Sequence, residues 1–324
     1  MKPRIRKLAA MASAIPGPVP ENSDLLLSGL SADMDISVKI VSCRELVQEA
    51  MIKQDLSTQA GTALGELMAC TLMMGAGLKD DENLQVNFVG DRGLGNLMVI
   101  TDGELKARGT VMNGRFTQYS SAPKMSDLLG EGQIQVVRSH PTWKFPTNGI
   151  TALRDAKISL NLALYMVESE QRMSALITDV LVDGSLCRHA LGIMVERLPG
   201  AMDHNIEASI RNLEKVEKKG LRKYLDIDAD DKWIDGQFRS FEPALGRILD
   251  DCLGELGENF RFTKKPQFRC SCGVDRVWRT LALLPLSEVK SIVDSQENVE
   301  VLDFLTTTYC DFIMYMHTNL SANS

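Results

Sequence analysis

The stretch Leu84–Gly103, LQVNFVGDRGLGNLMVITDG, decides how the chain folds. Leu84, Val86 and Phe88 alternate with Gln85 and Asn87, the period of a half-buried strand. The run Gly90 to Gly95 that follows is spaced like a loop that cradles phosphate on backbone amides. A dinucleotide fingerprint must open a helix, whereas Leu97, Met98, Val99 and Ile100 come next and read as a second strand. The glycines therefore form a tight turn, and no nucleotide is expected. Asp102-Gly103 is a hairpin signal into a third strand, Leu105 to Val111.

Outward from this hairpin, strands and helices intermix. Upstream, Val38 and Ile40 alternate with Ser37 and Lys39. Arg44 to Gln54 places Leu46, Val47, Ala50 and Met51 on one helical face. Ser57 or Thr58 caps a longer apolar helix through Leu64, Leu67, Met68, Leu72 and Met73. Downstream, Ile134 and Val136 mark a strand, and residues 154–169 an apolar helix ending in Glu168-Ser169-Glu170. Met173 to Val182 and Leu186 to Glu196 are two strands around Asp183-Gly184, and Leu198-Pro199-Gly200 closes the body. The expected fold is α/β of the α+β type, with a mixed sheet.

The composition changes after that. Asp203 can cap a helix with Ile206, Ile210, Leu213 and Val216 in one stripe; Lys215, Lys218 and Lys219 sit at its C-terminal dipole and Gly220 stops it. Residues 221–241 are charged and poorly periodic. A second helix, Ala244 to Leu256, aligns Leu245, Ile248, Leu249, Cys252 and Leu256. At about 150 residues per domain, 324 residues suggest two domains. The expected division is a basic tail or presequence (1–22), an α/β core domain (23–202), a helical linker (203–262) and a small C-terminal unit (263–324).

Lys plus Arg number 36 against 43 for Asp plus Glu, a net charge of −7 that disfavours a nucleic-acid binder. No apolar run approaches the ~20 residues that span a bilayer, since Leu64 to Leu78 carries Glu66 and several glycines; no membrane partner is expected. Seven scattered cysteines suit a reducing compartment, and a cytoplasmic site is expected. Lys2, Arg4, Arg6 and Lys7, followed by Pro16, Pro18 and Pro20, fit a basic tail or a presequence for plastid or mitochondrial matrix.

Catalytic signatures are missing. His140, His189, His204 and His317 are far apart, and neither HExxH nor Gly-x-Ser-x-Gly occurs. Asp80-Asp81, Asp230-Asp231 and Asp250-Asp251 diverge by about 100° on a helix and are expected to solvate a surface. No catalytic residue is nominated, and no enzyme is expected. The unusual constellation is Arg269 to Gly273, where Cys270 and Cys272 fall on one side of an extended segment and could meet one metal ion or oxidise together. A structural zinc site needs four donors, and no second Cys-x-x-Cys is present; two cysteines in a small packed unit is the plainer reading. Cys43, Cys70, Cys187 and Cys252 fall in apolar periodic segments and are expected to be buried.

Taken together, Thr62 to Gly65 with its apolar helix, Leu84 to Gly95, Ser169 to Gln171, Leu198 to Ala201, and Phe268 to Arg279 resemble the heat shock protein 33 family of redox-regulated holdase chaperones. The resemblance covers nearly the whole chain after about residue 23. It implies an α/β core, a helical linker, and a zinc domain bearing Cys-x-Cys and then Cys-x-x-Cys. It also implies an ATP-independent chaperone that captures unfolding clients, usually as a dimer, when zinc loss and disulfide formation unfold the linker. Cys270 and Cys272 match the first pair as metal and redox residues. The second pair falls on Leu302 and Leu305, with Phe304 and Tyr309 kept. Leucine neither ligates zinc nor forms a disulfide, so the implied switch is impaired. Three arrangements are then open: packing of Leu302, Phe304, Leu305 and Tyr309 in place of metal; a partial switch through Cys270 and Cys272; or recruitment of Cys310 and His317 as ligands. A Cys-bearing interaction adaptor and an unrecognised enzyme are the competing functional classes.

Overall fold

The computed structural model describes residues 23–79, 81–117, 125–155, 157–225 and 241–269, together with Pro285 and Ser287. Its strands are β1 (Leu25–Leu30), β2 (Ile36–Ser42), β3 (Asn83–Gly90), β4 (Asn96–Asp102), β5 (Lys106–Val111), β6 (Gly132–Ser139), β7 (Thr147–Ala152), β8 (Ser174–Asp183), β9 (Leu186–Arg197), β10 (Phe260–Lys264) and β11 (Gln267–Phe268). They form two sheets, a five-stranded one in the order β10-β1-β2-β9-β8 and a six-stranded one in the order β11-β5-β4-β3-β6-β7. The described pairings are antiparallel except that of β11 with β5. The α+β reading with parallel and antiparallel pairing is what the structure shows.

The helices are α1 (Arg44–Gln54), α2 (Thr58–Gly75), α3 (Met125–Leu129), α4 (Ile158–Glu170), α5 (Asp203–Lys219) and α6 (Glu242–Leu253), with 3-10 turns at Leu221–Leu225 and Gly254–Leu256. Ser57 caps α2, its hydroxyl accepting from Ala60 N at 3.2 Å. This helix touches both sheets, so nearly all of its residues are buried. Close approach requires small residues on both sides. A Cβ at Gly109 of β5 would stand 2.8 Å from Leu64 and Met68, and one at Gly192 of β9 would stand 2.8 Å from Met73.

Leu84, Val86 and Phe88 are fully buried, and Gly90 to Gly95 forms the turn from β3 to β4, as their pattern predicts. The helix expected over 154–169 begins only at Ile158. The Asn161 carboxamide explains the delay, since it accepts from the N–H groups of Arg154 (2.9 Å) and Asp155 (3.2 Å) and holds them in a loop.

After α6 the chain returns to both sheets. β10 pairs with β1 and runs across the expected 262/263 boundary as one strand, and β11 adds to β5. Lys264 Nζ ties this return by donating to the carbonyls of Ala76 and Gly103, each at 2.9 Å. Residues 1–22 and Cys270, Cys272, Leu302, Phe304, Leu305, Tyr309, Cys310 and His317 lie outside the described residues. Among the described residues no helix is long and apolar enough to cross a membrane.

Candidate functional site: a covered apolar sheet face

Alternation along the five-stranded sheet sends apolar residues to both faces. Leu26, Val41 and Met194 face α1 and α2 in the main core. Leu27, Val38, Ile40, Leu191 and Ile193 face the other way, where α5, the turn Leu221–Leu225 and α6 cover them. From the cover, Val216, Leu221, Leu245, Ile248, Leu249 and Cys252 complete this second core. Each large apolar side chain contributes about 1.5–3 kcal/mol when removed from water, so the uncovered face would be a contiguous sticky strip.

Both sequence-derived helical faces can be compared with this packing. Leu245, Ile248, Leu249, Cys252 and Leu256 are all buried, as their spacing predicts. The α5 stripe is kept in part, with Val216 in the second core and Ile206 and Leu213 packed against it. Ile210 is 53% exposed, while Asn205, Ser209 and Asn212 are buried with Ala208 and Val216. The inward face of α5 is thus half polar, and its polar groups are the ties that dock it.

Asp35, in the turn between β1 and β2, anchors the start of the cover. Its carboxylate accepts from Met202 N (3.2 Å), Asn205 Nδ2 (2.8 Å) and Ser31 Oγ (2.9 Å). Burial pushes this carboxyl up, but the hydrogen bonds outweigh it and hold it below the ordinary range. The expected capping by Asp203 is not observed: Met202 occupies the N-cap position, Asp203 is the first helical residue, and Asp35 receives the orphan N–H from across the fold.

A second anchor joins the two covering helices. Tyr224 Oη donates to Asp251 Oδ2 at 2.6 Å, Lys219 Nζ lies 3.2 Å from the same oxygen and 3.7 Å above the Tyr224 ring, and Arg247 donates to the Tyr224 carbonyl at 2.6 Å. The Tyr224 hydrogen bond, with Lys219, keeps Asp251 below the usual carboxylate range. Asn212 Nδ2 donates to the Leu253 carbonyl at 3.2 Å. Asp250 pairs with Arg261 at 2.8 Å. The Asp250-Asp251 pair, expected only to solvate a surface, therefore grips three partners, Arg261 on one side and Tyr224 with Lys219 on the other, because its side chains diverge around the helix.

A third tie is at the rim. Buried His189 of β9 lies 3.0 Å from Asp179 of β8, and Arg222 of the cover lies 3.9 Å from the same carboxylate. The hydrogen bond to His189, then Arg222, lowers the Asp179 pKa. Sequence reasoning missed Asp35, Asp179, His189, Asn205, Asn212 and Asp251. The seven-residue spacing of Asn205 and Asn212, two turns of one helix face, was the available signal.

Cys43, Cys70, Cys187 and Cys252 are buried and free, as expected. Burial pushes Cys187 and Cys252 up to about 12 and raises Cys43 and Cys70 well above their ordinary range, so none offers a thiolate. Among the described residues no group of three or more His, Cys, Asp and Glu side chains could hold a metal ion.

Comparison with known proteins places this architecture. A 33 kDa chaperonin of Streptococcus gordonii is 26% identical over 294 residues, covering 88% of this chain and 94% of its own. The 33 kDa chaperonin of Nostoc punctiforme is 28% identical over 293 residues, covering 89% and 92%. The crystal structure of the 33 kDa chaperonin (heat shock protein 33 homolog) of Thermotoga maritima shares the fold, with a TM-score of 0.73 at 20% identity over 89% of this chain and 93% of that one. The family model described as Hsp33 protein matches residues 24–310, and the chain with its covered sheet belongs to the Hsp33 family.

Proposed function

We propose that this protein is an ATP-independent holdase whose client surface is the apolar face of the five-stranded sheet and whose control element is the cover, residues 203–225 and 242–256. The observation that carries the reading is the burial of Leu27, Val38, Ile40, Leu191 and Ile193 beneath helices tied to the body by a few polar anchors. The partly exposed ion pair of Arg222 with Asp179 contributes about 0–1 kcal/mol, so the cover is held chiefly by its apolar packing and the buried Asp35–Asn205 bond, and the reading requires that the cover open by local unfolding ahead of the body. Membership of a family whose relatives are named chaperonins supports the same reading.

The family's four-thiolate zinc centre does not fit this chain. Leu302 and Leu305 stand at two donor positions, and four of the remaining thiols are sealed in the body. The reading therefore places control in the stability of the cover, with heat as the stronger trigger. Cys270 and Cys272 are left as a pair that responds weakly to oxidant. Unfolded proteins are the partners, dimerisation accompanies activation, and the site of action is the cytoplasm.

The test is suppression of light scattering by a thermally unfolding client at equimolar protein, after heating alone and after heating with peroxide. Suppression by the heated chain, little increased by peroxide, is expected. No suppression under either condition overturns the chaperone reading, and suppression that requires peroxide overturns the heat-controlled version.

A further inference from the structure

The six-stranded sheet ends on β7, and among the described residues no strand pairs with its outer edge. Register shows which backbone groups face outward. Leu153 N donates to Gly132 O at 2.9 Å, and from that bond the β6 register assigns Thr151, Gly149 and Thr147 to the hydrogen-bonded positions. The N–H and C=O groups of Asn148, Ile150 and Ala152 therefore point away from the sheet. Asn148 and Ala152 are exposed, and Ile150 is 53% exposed.

Natural edge strands are blunted by charge, proline, bulges or a covering element. The segment Thr147–Ala152, TNGITA, has no charged residue and no proline, and its pairing with β6 is regular. The strand is also held firmly: a Cβ at Gly149 would stand 2.5 Å from Tyr165 Oη, so β7 lies close against α4. Just before it, Phe145 is 71% exposed and Trp143 is 39% exposed, extending the apolar surface beyond the strand.

We propose that the outer edge of β7 is a second client site, which takes an extended, uncharged segment of an unfolding protein as an added strand. Main-chain hydrogen bonds supply affinity without sequence selectivity, and Ile150 with Phe145 favours apolar side chains. The proposal rests on the holdase reading but uses a different surface, one that no described residue pairs with as a strand. A second copy fits less well. Two-fold antiparallel pairing about Ile150 would bring the Phe145 end of one chain against the charged Arg154–Asp155 end of the other.

The test uses the full chain at rest, without heat or oxidant, and a fluorescent peptide of alternating valine and threonine. Ile150→Pro removes an outward N–H that β6 does not use, and Ile150→Val retains it. The peptide should bind wild type and Ile150→Val alike, bind Ile150→Pro about tenfold more weakly, and slow amide exchange at Asn148, Ile150 and Ala152. A peptide N-methylated at every residue, which has no N–H to offer on either edge, should not bind wild type, which keeps the test decisive if Ile150→Pro fails to fold. Equal binding by folded Ile150→Pro, or a wild-type dimer that this variant converts to monomer, overturns the proposal. Failure of the heated wild-type chain to suppress client aggregation sinks the holdase reading instead, whatever the peptide does.

Discussion

Leu249 of α6 fills the hollow left by Gly29 of β1, where an added Cβ would stand 2.9 Å from Leu249 Cδ1. Gly29 lies on the covered face of its strand, and the missing side chain lets α6 settle onto the sheet. A valine there must displace Leu249, and overpacking of this kind costs about 1–3 kcal/mol. The opposite face of β1, with Leu26 in the main core, is left unchanged. Gly29→Val should therefore weaken docking of the cover more than it weakens the body. Leu249→Ala should act in the same direction by leaving a cavity, at about 2–5 kcal/mol. Both variants should bind a hydrophobic dye at rest and suppress aggregation at a lower temperature than wild type. Unchanged dye binding in both would mean that the cover is not a separable unit.

Tyr224→Phe isolates one polar tie, since the ring stays and only the donor to Asp251 goes. Half of the Asp251 side chain is exposed, so water replaces part of the lost bond. The expected cost is about 1 kcal/mol. Hydrogen exchange should show faster opening of α5 and α6 with protection of α2 unchanged. Equal acceleration in both regions would place Tyr224 in the global core and not in the docking interface.

The strands around Gly90–Gly95 were legible in sequence because side-chain alternation and turn chemistry are local, and so was the buried stripe of α6. Division of the strands into two sheets was not, since pairing of β2 with β9 joins residues some 150 positions apart. The α5 face was legible in part, Ile206, Leu213 and Val216 packing inward as their spacing predicts, and what was missed has a different physical reason. Apolar spacing selects Ile210 for burial, whereas the helix turns Asn205 and Asn212 inward because Asp35 and the Leu253 carbonyl wait there as acceptors. A hydrogen-bond partner supplied from a distant segment leaves no periodic trace. The same limit hid Asp251, whose partner Tyr224 belongs to a segment of high charge and poor periodicity.

Cys252 should report opening directly. At rest its thiol is buried against the sheet and pushed up to about 12, so a thiol reagent at neutral pH finds almost no thiolate. Lifting α6 returns the group to water and to its ordinary range. Under mild heating, labelling of Cys252 should accelerate by at least about tenfold, as expected if thiolate fraction controls the rate. Cys43 and Cys70, sealed in the main core, should remain unlabelled and serve as internal references. Mass spectrometry of the labelled peptides checks this, and simultaneous labelling of Cys252 and Cys70 would indicate global unfolding instead.

Acid should also release the cover, and the sign follows from its anchors. Asp251 and Asp35 are both held below the ordinary carboxylate value of 3.8. A carboxyl depressed in the folded state contributes its full stabilisation above the unfolded pKa and loses it as pH falls through the folded one. Docking should therefore be insensitive to these groups between pH 5 and 7, taking about one unit above 3.8 as the margin, and weaken below 3.8. Protonated Asp251 no longer pairs with Lys219, and protonated Asp35 is a poorer acceptor for Asn205 and Met202 N. Dye binding should rise in this acid window before the far-ultraviolet signal of the body is lost. Asp251→Asn, which lacks the titrating group, should bind more dye at neutral pH and show a smaller rise on acidification. A variant whose acid profile superimposes on that of wild type would remove Asp251 from the set of groups that hold the cover closed.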